Sequence, residues 1–241
     1  MTSSLYPQIK HPADLTNDEQ SMMYNLFTEY YDACTFSNFK KDLAEKSHAL
    51  ILKEVDTSTI VGFTTALVMS HNDNQQEFKA IYSGDTIIQH DHWGSQLLLL
   101  SWCRLAGKIK ASLKDTPLYW FLIVKGHRTY RYLPLFTKRF YPTWRYPTPP
   151  QVQQILDGIA AKKFGDAYLS KKGIIRFEQS KGHLKRQWAD IPQHLISKPD
   201  VDYFLKRNPN YHAGEELACI TELTEHNLRS HALRAFKDEL P

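Results

Sequence analysis

Residues 78–109 read FKAIYSGDTIIQHDHWGSQLLLLSWCRLAGKI, and their order decides the fold. Phe78 to Ile88 is rich in β-formers and predicts a strand. His90 to Gln96 is polar, carries Gly94 and predicts a loop. Leu98, Trp102, Leu105 and Ile109 then recur at i, i+4, i+7 and i+11, the stripe of an amphipathic helix.

Upstream, Ala49–Val55 and Thr59–Met69 are β-rich runs split by Asp56-Thr57-Ser58, a hairpin signal. With the strand from Phe78 they predict a three-stranded antiparallel meander, and polar His71–Gln76 reads as its second loop. Earlier still, Met22, Met23, Leu26, Phe27 and Tyr30 predict a helix over Asn17–Asp32, started by Asn17-Asp18-Glu19. A shorter helix is predicted over Ser37–Lys46. Downstream, Leu118–Val124 is seven apolar residues in a row, as expected of a strand buried on both faces. Tyr132, Phe136 and Phe140 predict a helix within Arg128–Phe140, and Pro134, tolerated only in a first turn, puts its start near Thr129–Arg131. Pro142, Pro147, Pro149 and Pro150 mark the expected boundary between a core, 1–146, and a C-terminal extension, 147–241, packing on it. In that extension Val152–Phe164 reads as a helix, and Gly173–Phe177 and Leu217–Leu223 as strands.

The 241 residues are 42% hydrophobic and 23% charged, with a formal net charge of +4, which places the chain among globular proteins and excludes a disordered or collagen-like one. Lysines and arginines are spread out, so a nucleic-acid partner is not expected. Three distant cysteines, Cys34, Cys103 and Cys219, form no metal or disulfide pattern and suit a reducing compartment. No leader-like start and no membrane-length apolar run is seen, so a cytoplasmic location is expected. Lys237-Asp238-Glu239-Leu240 spells a retention signal but is followed by Pro241, and reads as accidental.

The order β-β-β-α-β-α behind two helices resembles the GNAT superfamily of N-acyltransferases. Their loop of pattern Gln/Arg-x-x-Gly-x-Gly/Ala holds the pyrophosphate of coenzyme A on backbone amides at a helix N-terminus. Here Asp91-His92-Trp93-Gly94-Ser95-Gln96 keeps only the middle glycine. Gly62-Phe63 in the second strand, Ile87-Ile88 at the end of the third, and the buried strand arrive in family order. The resemblance spans roughly Leu15–Pro142 and implies a divergent GNAT with a C-terminal extension: an α+β fold with a mixed, mostly antiparallel central sheet flanked by helices, and a C-terminal α/β extension.

It also implies a site. Ile87, Ile88, His92, Trp93, Gly94, Ser95, Gln96 and Arg128 would bind acyl-CoA or coenzyme A as co-substrate, with no metal. Gly84 would mark a bulge opening the acyl site, where the two neighbouring strands splay. Asp85 and His127 are the candidate bases and Tyr132 the candidate acid, because Phe136 stands where the family tail has a tyrosine. Bland readings stand beside these: Asp85 as a turn residue, His127 as a helix cap, Tyr132 as a core aromatic, Arg128 on a solvated face, and His90-x-His92 as a polar loop lacking a third metal ligand.

The implied activity is transfer of an acyl group, a fatty acyl among the options, from acyl-CoA or an acyl carrier to a primary amine of a small molecule or peptide. A homodimer is compatible with it. The rival is a non-catalytic GNAT-like module that binds an acyl thioester or a protein partner. Aromatics of the extension, including Phe164 and Phe177, are expected to help build the acceptor or acyl pocket.

Overall fold

The computed structural model describes residues 4–73, 76–179 and 181–238, so the Lys237–Leu240 match lies partly outside the described residues. Along the chain run β1 (Leu5–Lys10), α1 (Asn17–Tyr30), β2 (Tyr31–Asp32), α2 (Phe36–Ala44), β3 (His48–Glu54), β4 (Ile60–Asp73), β5 (Gln76–Ile88), α3 (Leu97–Ser112), β6 (Leu118–Val124), α4 (His127–Tyr130) and α5 (Tyr132–Phe136). There follow α6 (Pro150–Phe164), β7 (Tyr168–Leu169), β8 (Ile174–Ile175), β9 (His183–Leu184), α7 (Arg186–Ala189), α8 (Gln193–Ile196), α9 (Pro199–Arg207), β10 (Glu216–Glu222) and α10 (Ser230–Lys237).

The main sheet has the order β1-β3-β4-β5-β6-β10-β8-β7. Only β5 and β6 are parallel; the other pairs are antiparallel, so the expected α+β class with a mostly antiparallel sheet holds. Side-chain alternation sorts the core onto two faces. Leu50, Leu52 and Ile81 meet α3 and α10, while Ala49, Ile51 and Phe63 meet α1 and α2. Phe78, Ala80 and Tyr82 pack under α6. At Gly107 of α3 a Cβ would run into the backbone of Phe236, so glycine is what lets α10 lie this close.

Strands from the segment after residue 147 enter the same sheet: β10 pairs with β6, Leu217 against Val124 to Glu222 against Tyr119, and β8 and β7 complete that edge.

Helix α1 starts at a capping box. Thr16 Oγ1 accepts from the Glu19 amide at 3.1 Å and Glu19 Oε2 accepts from the Thr16 amide at 2.9 Å, so the cap is Thr16, one residue before the expected start. Glu19 Oε1 also accepts from Lys10 at 2.7 Å and Lys53 at 2.8 Å, which ties α1 to the first two strands of the sheet.

One strand was not anticipated, and two expectations are corrected. Leu5–Lys10 forms an edge strand on β3 that its short pattern and Pro7 hid; an edge tolerates proline because one side of the strand donates to no neighbour. The loop expected over His71–Gln76 is a continuation of the β4–β5 ribbon, with Asn72 opposite Glu77, and Asn74 and Gln75 lie outside the described residues. A two-stranded ribbon reaching into solvent is polar on both faces and so reads as a loop. The helix expected over Arg128–Phe140 is instead α4 and α5, with Thr137 in extended backbone. Pro134 lacks the N–H that would bond the Tyr130 carbonyl and its ring crowds that carbonyl, so α4 ends at Tyr130.

Candidate active site

The site is made where β5 leaves β6. Their parallel pairing runs from Lys79–Leu118 to Ser83–Leu122 and stops, although β5 continues to Ile88. On the other side β5 keeps β4, but with a register change: Ala66 faces Ser83 and Thr64 faces Thr86. Two residues of β5, Gly84 and Asp85, thus stand against Thr65 alone, a β-bulge. Its effect is visible in the faces. Leu67 opposes Tyr82 and Phe63 opposes Ile87, so Tyr82 and Ile87 share a face although five residues apart, which an unbulged strand forbids. Glycine fits closely at position 84: a Cβ would meet Thr65 Oγ1 and come within 2.7 Å of Lys46 Cε, so both side chains would have to shift.

The bulge opens Asp85 into a cavity of about 550 Å³. Its walls come from both ends of the chain: Tyr31 and Cys34 after α1, Asp42 and Glu45 on α2, Lys125 after β6, and Lys163, Phe164, Phe177 and Glu216 from the extension. Around Asp85 most charges are satisfied. Asp42 pairs with Lys46, Glu45 with Lys163 at 2.6 Å, and Glu216 with Lys125 at 3.5 Å. None of the described residues hydrogen-bonds or ion-pairs with Asp85. Burial, then the Asp42 carboxylate, push its carboxyl up to about 6, although Lys125 and Lys46 pull the other way. Burial likewise raises Glu216, with Lys125 opposing the rise and Asp85 adding to it.

The other candidates separate. Tyr132 lines a second, smaller cavity that shares Gly84, Thr86, Ile123 and Thr129 with the large one; its phenol is raised by burial, and its hydroxyl meets no hydrogen-bond partner among the described residues. His127 is not brought to Asp85. It begins α4, is 2% exposed, lines neither of these cavities, and its Nε2 has no partner among the described residues. Burial, with Arg128 and Arg131 beside it, lowers its imidazole to about 4.

No protein-family model matches this chain, and no curated protein matches it. Solved structures do. A conserved protein from Enterococcus faecalis V583 described as a "probable N-acyltransferase" matches 56% of this chain at 13% identity and a TM-score of 0.40, and the chain spans only 33% of that protein. An acyl-CoA N-acyltransferase from Pseudomonas aeruginosa matches 55% of this chain and 88% of its own length at 19% identity and a TM-score of 0.40. A GNAT family N-acetyltransferase from Escherichia coli, solved with coenzyme A, matches 56% of this chain and 70% of its own length at 10% identity and a TM-score of 0.37.

Past Ile88 the chain makes one short turn, His90–His92, before α3. Trp93 Nε1 donates to the Ile88 carbonyl at 2.7 Å and Ser95 N to the His92 carbonyl at 3.0 Å, which folds the loop over the strand end. Helix α3 begins at Gln96 with no side-chain cap from that residue and no acidic residue in its first turn, so its N-terminal amides and dipole are not neutralised by a carboxylate. Gly94 has φ +152, and a Cβ there would face open space. Ile87 stands opposite Phe63. Beyond Ser83 the β5 edge that faced β6 carries no strand partner.

Arg128 and His92, expected as cofactor ligands, have other partners. The Arg128 guanidinium lies 4.8 Å over the Trp93 ring and donates to the Trp188 carbonyl at 2.8 Å, so it clamps the loop to the extension. His92 Nε2 is 3.7 Å from a Glu54 carboxylate oxygen. His90, Trp93 and Trp188 pack ring to ring, with centroids 4.7 to 5.6 Å apart. Among the described residues no cluster of histidine, cysteine or acidic side chains could hold a metal ion, and no helix is long and apolar enough to cross a membrane.

Sequence reading missed Asp42, Lys46 and Glu216. A signal existed for the first two, an acid and a lysine at i, i+4 in the predicted second helix. Glu216 precedes an apolar strand and carries none.

Proposed function

We propose that this chain is a divergent GNAT-type N-acyltransferase that moves an acyl group from coenzyme A, or from an acyl carrier, to a primary amine. The observation that carries the reading is Asp85: a carboxyl without hydrogen-bond partners among the described residues, on a bulge where two parallel strands part, facing a large cavity.

In this reading the thioester arm lies along the unpaired β5 edge from Gly84 to Ile88, its pyrophosphate at the start of α3, where the amides of Gly94 and Gln96 and the helix dipole favour an anion. The acceptor amine enters the large cavity. Its nitrogen attacks the thioester carbonyl carbon, forming the C–N bond; the C–S bond breaks as the tetrahedral intermediate collapses. The amine proton passes to the Asp85 carboxylate, and the thiolate takes a proton from the Tyr132 hydroxyl across the shared wall of the two cavities. Lining from Lys163, Phe164, Phe177 and Glu216 supports an acceptor pocket built in part by the extension, roomy enough for a small molecule or the end of a peptide.

The test is direct. With acetyl-CoA and a panel of primary amines and peptides, thiol release should depend on the amine, and coenzyme A alone should raise Tm. Binding without thiol release across the panel favours the non-catalytic module; absence of both removes the acyl-thioester reading.

A further inference from the structure

The two cavities that meet at the bulge differ in size and character. The smaller, about 20 Å³, lies on the α3 face and has room for about one water-sized group. Apart from the shared wall and Tyr132 its lining is mainly apolar: Leu99, Cys103, Leu122, Phe136 and the indoles of Trp102 and Trp120. The indoles close it. Their ring centroids are 4.4 Å apart, and each residue is 5% exposed. Trp120 is fixed, because its Nε1 donates to buried Ser83 Oγ at 2.9 Å. Trp102 Nε1 is buried without a partner among the described residues, and a donor left unpaired in a core is costly.

Resting on the acyl-transfer reading above, we infer that Trp102 and Trp120 set the length of the acyl group, so that this chain takes a short acyl such as acetyl. The carbonyl carbon has to sit at the shared wall, within reach of both the amine side and Tyr132. Its alkyl substituent then has one way to point that avoids the acceptor and the thioester arm, into the small cavity. There the first carbon fits and the next ones meet the two packed indoles. In a close-packed apolar pocket each methylene too many costs about tenfold or more in discrimination. The large cavity is thereby reserved for the acceptor, and the fatty-acyl option suggested by the aromatic extension is set aside: Phe164 and Phe177 line the large cavity, not the small one.

Titration calorimetry of the full chain with coenzyme A, acetyl-CoA, butanoyl-CoA and octanoyl-CoA tests this. The parent protein should bind octanoyl-CoA about tenfold or more weakly than acetyl-CoA, and Trp102→Ala should remove or invert that gap while binding coenzyme A as the parent does. Leu99→Ala, which opens the same cavity without touching the indole pair, should narrow the gap too and carries the test if Trp102→Ala fails to fold. Equal or tighter octanoyl binding by the parent, with coenzyme A bound normally, overturns the length limit and leaves acyl transfer standing. Failure to bind coenzyme A at all overturns the reading beneath it.

Discussion

Glu19 and Asp85 are both carboxylates set against the same sheet, and they have opposite fates. Glu19 is saturated: Lys10 and Lys53 donate at 2.7 and 2.8 Å and the Thr16 amide at 2.9 Å. Burial raises its carboxyl, but these donors outweigh burial and hold it down at about 2. Asp85 receives no such donors among the described residues; burial, with Asp42 beside it, takes it up to about 6. A carboxylate supplied with donors is a fastener, whereas one deprived of them while neighbours supply charge is poised to take a proton.

The largest expected effect falls on the deprived one. Asp85→Asn should lower turnover by about 10² to 10⁴ fold if it is the base, with coenzyme A binding kept. Stability should not suffer. The folded pKa lies above the ordinary 3.8, so the folded chain holds a proton that the unfolded chain releases, and stability falls as pH rises from 3.8 to about 6. Removing the charge should therefore raise Tm at pH 7; a loss of stability with turnover intact would break the contrast.

Glu19→Gln should do the reverse. It should cost about 3 kcal/mol in urea unfolding at neutral pH, from the fall of its carboxyl to about 2, without changing acyl-group selectivity. Here the folded pKa is depressed, so the stabilisation is present above 4.5 and is lost as pH falls towards about 2. The difference between parent and variant should shrink over that window. A difference that persists unchanged at pH 2 would show that the glutamate acts through packing alone.

The acidic limb of the kcat/KM profile sharpens the comparison further: it should have its midpoint near 6 and vanish in Asp85→Asn. A limb near 4 would mean that Asp85 titrates as an ordinary surface acid. Smallest is Gly94→Glu. A carboxylate at the start of α3, where a Cβ faces open space, should weaken coenzyme A binding by about two- to fivefold through the helix dipole and its ligand. Unchanged binding would move the pyrophosphate away from this loop.

Much of the fold was legible. The hydrophobic rhythm of Leu98–Ile109 and the unbroken run Leu118–Val124 are local patterns, and the helix and strand they predict are α3 and β6. Where local pattern misled, a non-local partner decided. Leu5–Lys10 becomes a strand only because β3 lies beside it, Asn72 because Glu77 faces it, and the helix expected through Phe140 yields to Pro134 and to Thr137 bridging Leu228. The site was legible in part. Asp85 and Gly84 stood out within a strand, but that His127 turns into the core away from Asp85, and that Arg128 serves Trp93 and Trp188, depends on α4 packing that no spacing encodes.

By itself, then, the sequence determined the strand and helix order, the glycine at the bulge and the apolar central strand, because periodicity and backbone permissiveness act within a few residues. Only the tertiary structure decided which charges meet: Asp42, Lys46, Asp85, Lys125 and Glu216 are gathered from four separate stretches of the chain. Whether a carboxylate is quieted or left poised depends on donors within about 4 Å, and chain distance says nothing about those.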